Sequence, residues 1–131
     1  MTKEEFKALI LEKYDIMGDN PFEEYDSTLV FRHKANRKWF ALLMTISKRK
    51  LGLSSDDKID IVNVKCPQEI IDSMWTENGI FPGYHMNRAH WLSLSLDGSL
   101  DTNTIEWLVE LSYDLTKPKI PRKKSSPCGD K

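Results

Sequence analysis

Cysteine is nearly absent from this chain. Cys66 and Cys128 are the only two in 131 residues, one inside the expected domain and one in a polar tail, so neither a disulfide framework nor a CxxC metal pair can be built. Long hydrophobic runs are missing too. The longest uninterrupted apolar stretch, 39–44, is far short of the ~20 residues a membrane helix needs. The amino terminus, Met1-Thr2-Lys3-Glu4-Glu5, is acidic where a secretory leader would be basic and then apolar. A cytoplasmic protein without a membrane partner is therefore expected. No internal repeat is visible, and net charge is close to nil at −1, which on its face counts against a strongly basic nucleic-acid binder.

What is present is a full set of large side chains. Four Trp, four Tyr and five Phe supply wide buried surfaces that offset an apolar fraction of 40%. A chain of 131 residues fits one domain with one core, and leaves no room for a second independent unit. The expected division is a domain over 1–118 and a basic, disordered tail over 119–131.

The small net charge conceals a block pattern. Residues 32–50 carry seven bases and no acid, and 117–131 carry six bases and one acid. Residues 1–27 hold eight acids against three bases, and 51–116 hold eleven against three. Such blocks can create a local electrostatic footprint, or can simply be solvated surfaces that neutralise one another in space.

Thr2 and Glu5 make a capping box, and Phe6, Leu9, Ile10 and Tyr14 follow at helical spacing, which predicts a helix over Lys3–Tyr14. Asp19-Asn20-Pro21 is a loop signal. Segments 28–33 and 38–46 read as antiparallel strands around the polar turn Lys34-Ala35-Asn36-Arg37. In the second strand Trp39, Ala41 and Leu43 alternate with Phe40, Leu42, Met44 and Ile46, so both faces should be covered. A third strand is predicted over 58–64, and a helix opening at Pro67 buries Ile70, Ile71, Met74 and Trp75 before Asn78-Gly79 stops it. The stretch 80–89 reads as irregular, and 90–96 as a strand with His90, Leu92, Leu94 and Leu96 on one face and Trp91, Ser93 and Ser95 on the other. Asp101 or Thr102 caps a last helix, with Ile105, Leu108, Val109 and Ser112 on one side and Trp107, Leu111 and Leu115 on another. This wide apolar surface predicts a well-buried helix. The order α-β-β-β-α-β-α implies an α+β fold, a mainly antiparallel sheet with helices packed on one face.

The segment Asn78-Gly79-Ile80-Phe81-Pro82-Gly83-Tyr84-His85-Met86-Asn87-Arg88-Ala89-His90-Trp91 resembles the signature of the MmcQ/YjbR family. Trp39-Phe40-Ala41, Val62-Asn63-Val64-Lys65-Cys66 and Ser112-Tyr113-Asp114-Leu115 add to the resemblance, which extends over 22–116. It implies a frataxin-like (CyaY-like) topology, described for the family as a double-wing DNA-binding fold, and it assigns no catalytic residue. Arg88 stands where the family more often has Lys, which keeps the charge and would allow a bidentate grip on phosphate.

These readings lead to a non-enzymatic module without a cofactor, monomeric or weakly dimeric, that binds DNA backbone electrostatically. The expected contacts are Arg32, Lys34, Arg37 and Lys38 around the first turn, Lys48, Arg49 and Lys50 after the second strand, and Arg88. The two basic turns flank one strand, so about 25–30 Å should separate them at about 3.3 Å per residue. The alternative is a protein- or small-ligand-interaction module using the loop 83–90, with Tyr84, His85, Asn87 and His90. In that loop, His and Asn side chains can equally serve to satisfy irregular backbone. A metal site from His85, His90 and His33 or Cys66 matches no common zinc spacing. A thiol at a helix start can be activated, but Cys66 has no located base. Glu12, Asp15, Asp19, Glu23 and Glu24 could form an acidic ridge, though a solvated face accounts for them without any ligand.

Overall fold

A computed structural model describes residues 1–21, 28–74 and 77–118. Among them run α1 (Lys3–Tyr14), β1 (Leu29–Arg32), β2 (Trp39–Ser47), a single 3-10 turn (Lys48–Leu51), β3 (Lys58–Lys65), α2 (Gln68–Met74), β4 (Ile80–Pro82), β5 (Trp91–Ser95) and α3 (Thr102–Thr116). The five strands form one sheet in the order β1-β2-β3-β5-β4, and every neighbouring pair is antiparallel. The α+β class is as expected from the sequence. The predicted tail 119–131, with Cys128, and Glu23, Glu24 and Trp75 lie outside the described residues.

Helix α1 begins where the capping box requires. Glu5 donates its amide to Thr2 Oγ1 at 3.0 Å, and the Thr2 amide donates back to Glu5 Oε1 at 2.8 Å. It ends at Asp15, whose left-handed φ of 58° lets the cap amide reach the Leu11 carbonyl. Phe6 and Ile10 of α1, Ile71 of α2 and Ile105, Leu108 and Val109 of α3 share one apolar cluster with Phe31, Leu43, Val62, Val64, Leu92 and Leu94 of the sheet. All three helices therefore draw on the same sheet face.

Three expectations are corrected. The segment read as irregular contains β4, which pairs Ile80–Pro82 with Leu94, Ser93 and Leu92 of β5. Three residues ending in Pro are too few to show an alternation. In β2 the predicted two-residue alternation breaks, because Phe31 pairs with Ala41 but Arg32 pairs with Trp39. Phe40 is the extra residue of a bulge. It joins Ala41 and Leu43 on the helix side, and Trp39 turns to the opposite face with Leu42, Met44 and Ile46. Finally, α3 is buried along one side only: Ile105, Leu108, Val109 and Ser112 are inside, while Trp107 and Leu115 are 43% and 45% exposed.

The bulge seats Phe40 among Tyr14, Tyr113 and His33, with ring centroids 5.8, 5.1 and 5.2 Å away. Burial pushes the Tyr14 phenol up to about 12. His33 Nε2 lies 2.8 Å from Thr116 Oγ1, which itself stands 2.8 Å from the Ser112 carbonyl. His33 is thus a structural side chain bridging the β1–β2 turn to the end of α3. Desolvation lowers its pKa, with the nearby Lys117 charge acting in the same direction. The unfolded chain then binds this proton more tightly, so stability is held above about pH 6.5 and is lost as pH falls toward the lower folded pKa. Melting between pH 7.5 and 5.5 should show a larger loss for the parent than for His33→Gln. Equal losses would place the titration elsewhere.

Candidate functional site

The sheet face away from the helices carries a second apolar cluster. Val30, Leu42, Met44, Ile59 and Ile61 are buried there, with Trp39, Ile46, Leu51, Tyr84, Met86 and Trp91 packed partly against them. No helix covers this face among the described residues, and two loops take that role. One is the basic turn after β2, where Ser47 Oγ accepts from the Arg49 amide and Gly52, at φ +87°, closes the turn by donating to the Lys48 and Arg49 carbonyls. The other is the loop from β4 to β5.

This second loop is fastened by a buried polar pair on the sheet. Asn63 of β3 and Ser93 of β5 face each other across the ladder, and both are fully buried. Asn63 Nδ2 donates to the Tyr84 carbonyl at 2.9 Å, and the Tyr84 amide donates to Ser93 Oγ at 2.8 Å. The Ser93 hydroxyl in turn donates to Asn63 Oδ1, so both main-chain groups of Tyr84 are satisfied by side chains. Just before it, Gly83 donates to the Trp91 carbonyl at 3.1 Å, and a Cβ there would stand 2.8 Å from Trp91 Cβ and 2.9 Å from its oxygen. Only glycine allows this approach.

From that anchor the loop projects a stacked pair. The Tyr84 and His85 rings lie 4.0 Å apart at 16°, with His85 in the left-handed region at φ 59°. Asn87 is used internally, its Oδ1 accepting from the Ala89 amide at 2.9 Å and its carbonyl from the His90 amide at 3.0 Å. The backbone-satisfying reading of Asn87 is the one observed. His90 is exposed, and its carbonyl accepts from the Cys66 amide at 2.8 Å.

Between the two loops opens a cleft of about 730 Å³ lined by Arg49, Lys50, Tyr84, His85, Met86 and Arg88, with no carboxylate among its lining residues. A second compartment of about 530 Å³ adjoins it, floored by Leu42, Met44 and Ile46 of β2 and bounded by Trp39; Lys50, Tyr84, His85 and Met86 line both. Cations and an apolar floor therefore meet at Lys50.

The expected contact residues divide sharply. Arg49, Lys50 and Arg88 come together, with Lys48 opening the same turn. Arg49 Nε bonds Asp56 at 2.7 Å, a pair open to solvent on both sides and correspondingly weak. At the other end of β2, Arg32 is held by Asp19 at 2.7 Å and Lys34 by Asp15 at 3.1 Å. That turn is also tied to α3, since Asn36 Nδ2 donates to the Thr116 carbonyl at 2.9 Å. Arg37 and Lys38 are exposed near it. The carboxylates once read as an acidic ridge thus include two that partner bases.

Sequence reasoning missed Asn63, Ser93 and Trp39 as parts of this site. The signal for Ser93 was present in the polar face of β5, but its partner strand was not identifiable. Among the described residues no three His, Cys, Asp or Glu side chains gather into a metal-binding group. Burial pushes the Cys66 thiol up to about 11, with the Glu69 charge acting in the same direction, which is opposite to activation.

Comparison with known proteins gives consistent relatives. The YjbR family model matches residues 3–115. The chain is similar to the uncharacterized protein YyaQ of Bacillus subtilis (strain 168), 40% identical over 117 residues that span 89% of this chain and 99% of YyaQ. The uncharacterized protein YjbR of Escherichia coli (strain K12) is 33% identical over 64 residues, 48% of this chain and 54% of YjbR. A crystal structure of a Pseudomonas syringae protein, 38% identical, superposes with a TM-score of 0.87 over 89% of this chain and all of the other. A Deinococcus radiodurans protein, 24% identical, shares the fold at a TM-score of 0.65 over 87% of this chain and 77% of its own.

Proposed function

Since the chain belongs to the YjbR family, and its basic turn and signature loop border one cleft, we propose that it is a nucleic-acid-binding module whose contact surface is the helix-free face of the sheet. The observation that carries this reading is the convergence of Arg49, Lys50 and Arg88 on a cleft without a lining carboxylate. Cations so placed neutralise backbone phosphates and release counterions, a sequence-independent source of affinity. The DNA-binding description implied by the family resemblance points the same way. The reading narrows the contact set to the bases that line this cleft; Arg32 and Lys34 lie outside it, Arg32 paired with Asp19 and Lys34 in a solvent-open pair with Asp15.

Anisotropy titrations of a labelled oligonucleotide at several salt concentrations test it. Lys50→Ala and Arg88→Ala should each weaken binding and reduce the log–log salt slope by about one. Lys34→Ala should leave both nearly unchanged. Absence of binding at low salt would retire the reading, and a stronger effect at Lys34 would move the surface to the other end of β2.

A further inference from the structure

The cationic cleft and the apolar compartment share Lys50, Tyr84, His85 and Met86 as walls, and a polyanion held by charge alone has no use for the second. Leu42, Met44 and Ile46 form its floor, Trp39 bounds it, and the partly buried Tyr84 and Met86 line both spaces. Resting on the nucleic-acid reading above, we propose that this surface takes single-stranded nucleic acid, with one unstacked base in the compartment beside Tyr84 and Met86 and its phosphate at Lys50 and Arg88.

Three features argue for a strand over a duplex. First, compartments of about 730 and 530 Å³ have the dimensions of small-ligand sites, which a single nucleotide enters and a base-paired, stacked duplex does not. Secondly, the apolar floor and the Tyr84–His85 stack offer sequence-tolerant surfaces to a base, and every base has a π-face. Thirdly, the charge is arranged to match: Lys50 lines both compartments, and Arg88 lines the cationic one. The Asn63–Ser93 pair holds the Tyr84 backbone in place, so the aromatic wall is preformed and its ordering is not charged against binding.

The recognised chemistry, a flat base beside a phosphate, exists both in a strand and in a free mononucleotide. The test therefore compares four probes on the full chain at one salt concentration: a labelled oligothymidylate, the same strand with abasic sugars throughout, the corresponding duplex, and thymidine monophosphate as competitor. The oligothymidylate should bind at least about five-fold more tightly than the abasic strand or the duplex, the range that one stacked base supplies. Met86→Ala and Tyr84→Leu should each shrink that ratio while leaving abasic binding unchanged; the anchor at position 84 is made by its backbone, so the loop keeps its place in both variants. Equal affinity for all three polymers, still sensitive to Lys50→Ala, would overturn the single-strand proposal and leave the electrostatic reading standing. Displacement by thymidine monophosphate at matched nucleotide concentration would overturn it in favour of a free nucleotide. Binding of none of the polymers would overturn both readings.

Discussion

Phe40→Ala should cost about 3–5 kcal/mol of stability, among the largest losses from one side chain in this fold. The ring is fully buried and touches partners from three separate elements: Tyr14 at the end of α1, Tyr113 of α3 and His33 beside β1. Truncation removes the transfer free energy of a benzyl group and leaves a cavity at the junction of both long helices. Collapse cannot fill it easily, because the Phe40 carbonyl is pinned by Ser112 Oγ at 2.6 Å, and that oxygen also takes the Lys65 amide. Domains of this size have about 5–15 kcal/mol in total. The variant should therefore melt more than roughly 10 °C below the parent, at about 4 °C per kcal/mol. Phe40→Leu, which keeps most of the volume, should lose about 1.5 kcal/mol or less. Because Phe40 faces the helices and the candidate cleft lies on the opposite face, oligonucleotide affinity of the folded variant should stay close to the parent value. A drop in affinity at temperatures where the variant is fully folded would mean that the two faces are coupled.

How much of this was legible in the sequence depended on local chemistry. The first helix was read to its end residues, because the capping box and the spacing of Phe6, Leu9, Ile10 and Tyr14 mark its extent. The strands carrying β-branched and aromatic runs were read to within one or two residues. The bulge at Phe40 was hidden because both alternating sets of β2 are apolar, so a slip of one residue changes no polarity. The outward side of α3 was misjudged for a related reason: Trp107 and Leu115 have core chemistry but lie beyond the sheet they would need to reach. The candidate site was half legible. The seven bases of 32–50 were evident, but which of them meet acids depends on Asp15 and Asp19 folding back beside β1, a tertiary fact. Likewise Lys50 and Arg88 line one cleft only because the β4–β5 loop folds back over the helix-free face, where Asn63 holds it.

Asn63→Asp, which changes one atom, should cost about 3 kcal/mol or more at neutral pH. Asn63 is fully buried and its amide nitrogen donates to the Tyr84 carbonyl. An ionised carboxylate would set an oxygen against that carbonyl and place an unpaired charge inside the sheet, and burying an uncompensated charge is among the costliest single changes. The introduced carboxyl would escape by staying protonated, since desolvation favours its neutral form, and as a neutral acid it can again donate to Tyr84. Its folded pKa would then lie above the unfolded value near 3.9, so the penalty is complete above the folded pKa and fades as pH falls toward the unfolded one. Chemical denaturation of parent and variant in parallel should show a stability gap that is widest at pH 7 and narrows on acidification. A gap that does not change with pH would mean that the loop moves away from residue 63 to hydrate it. Ser93→Ala, which strands the Tyr84 amide without adding charge, should cost less, about 1–3 kcal/mol, with no such pH dependence. Both changes release the anchor of the Tyr84–His85 pair, so both should weaken oligonucleotide binding under conditions where the protein is folded. Met86→Ala, by contrast, alters the compartment and leaves the anchor intact. The ratio of stability loss to affinity loss thus separates residues that build the cleft from residues that touch its occupant.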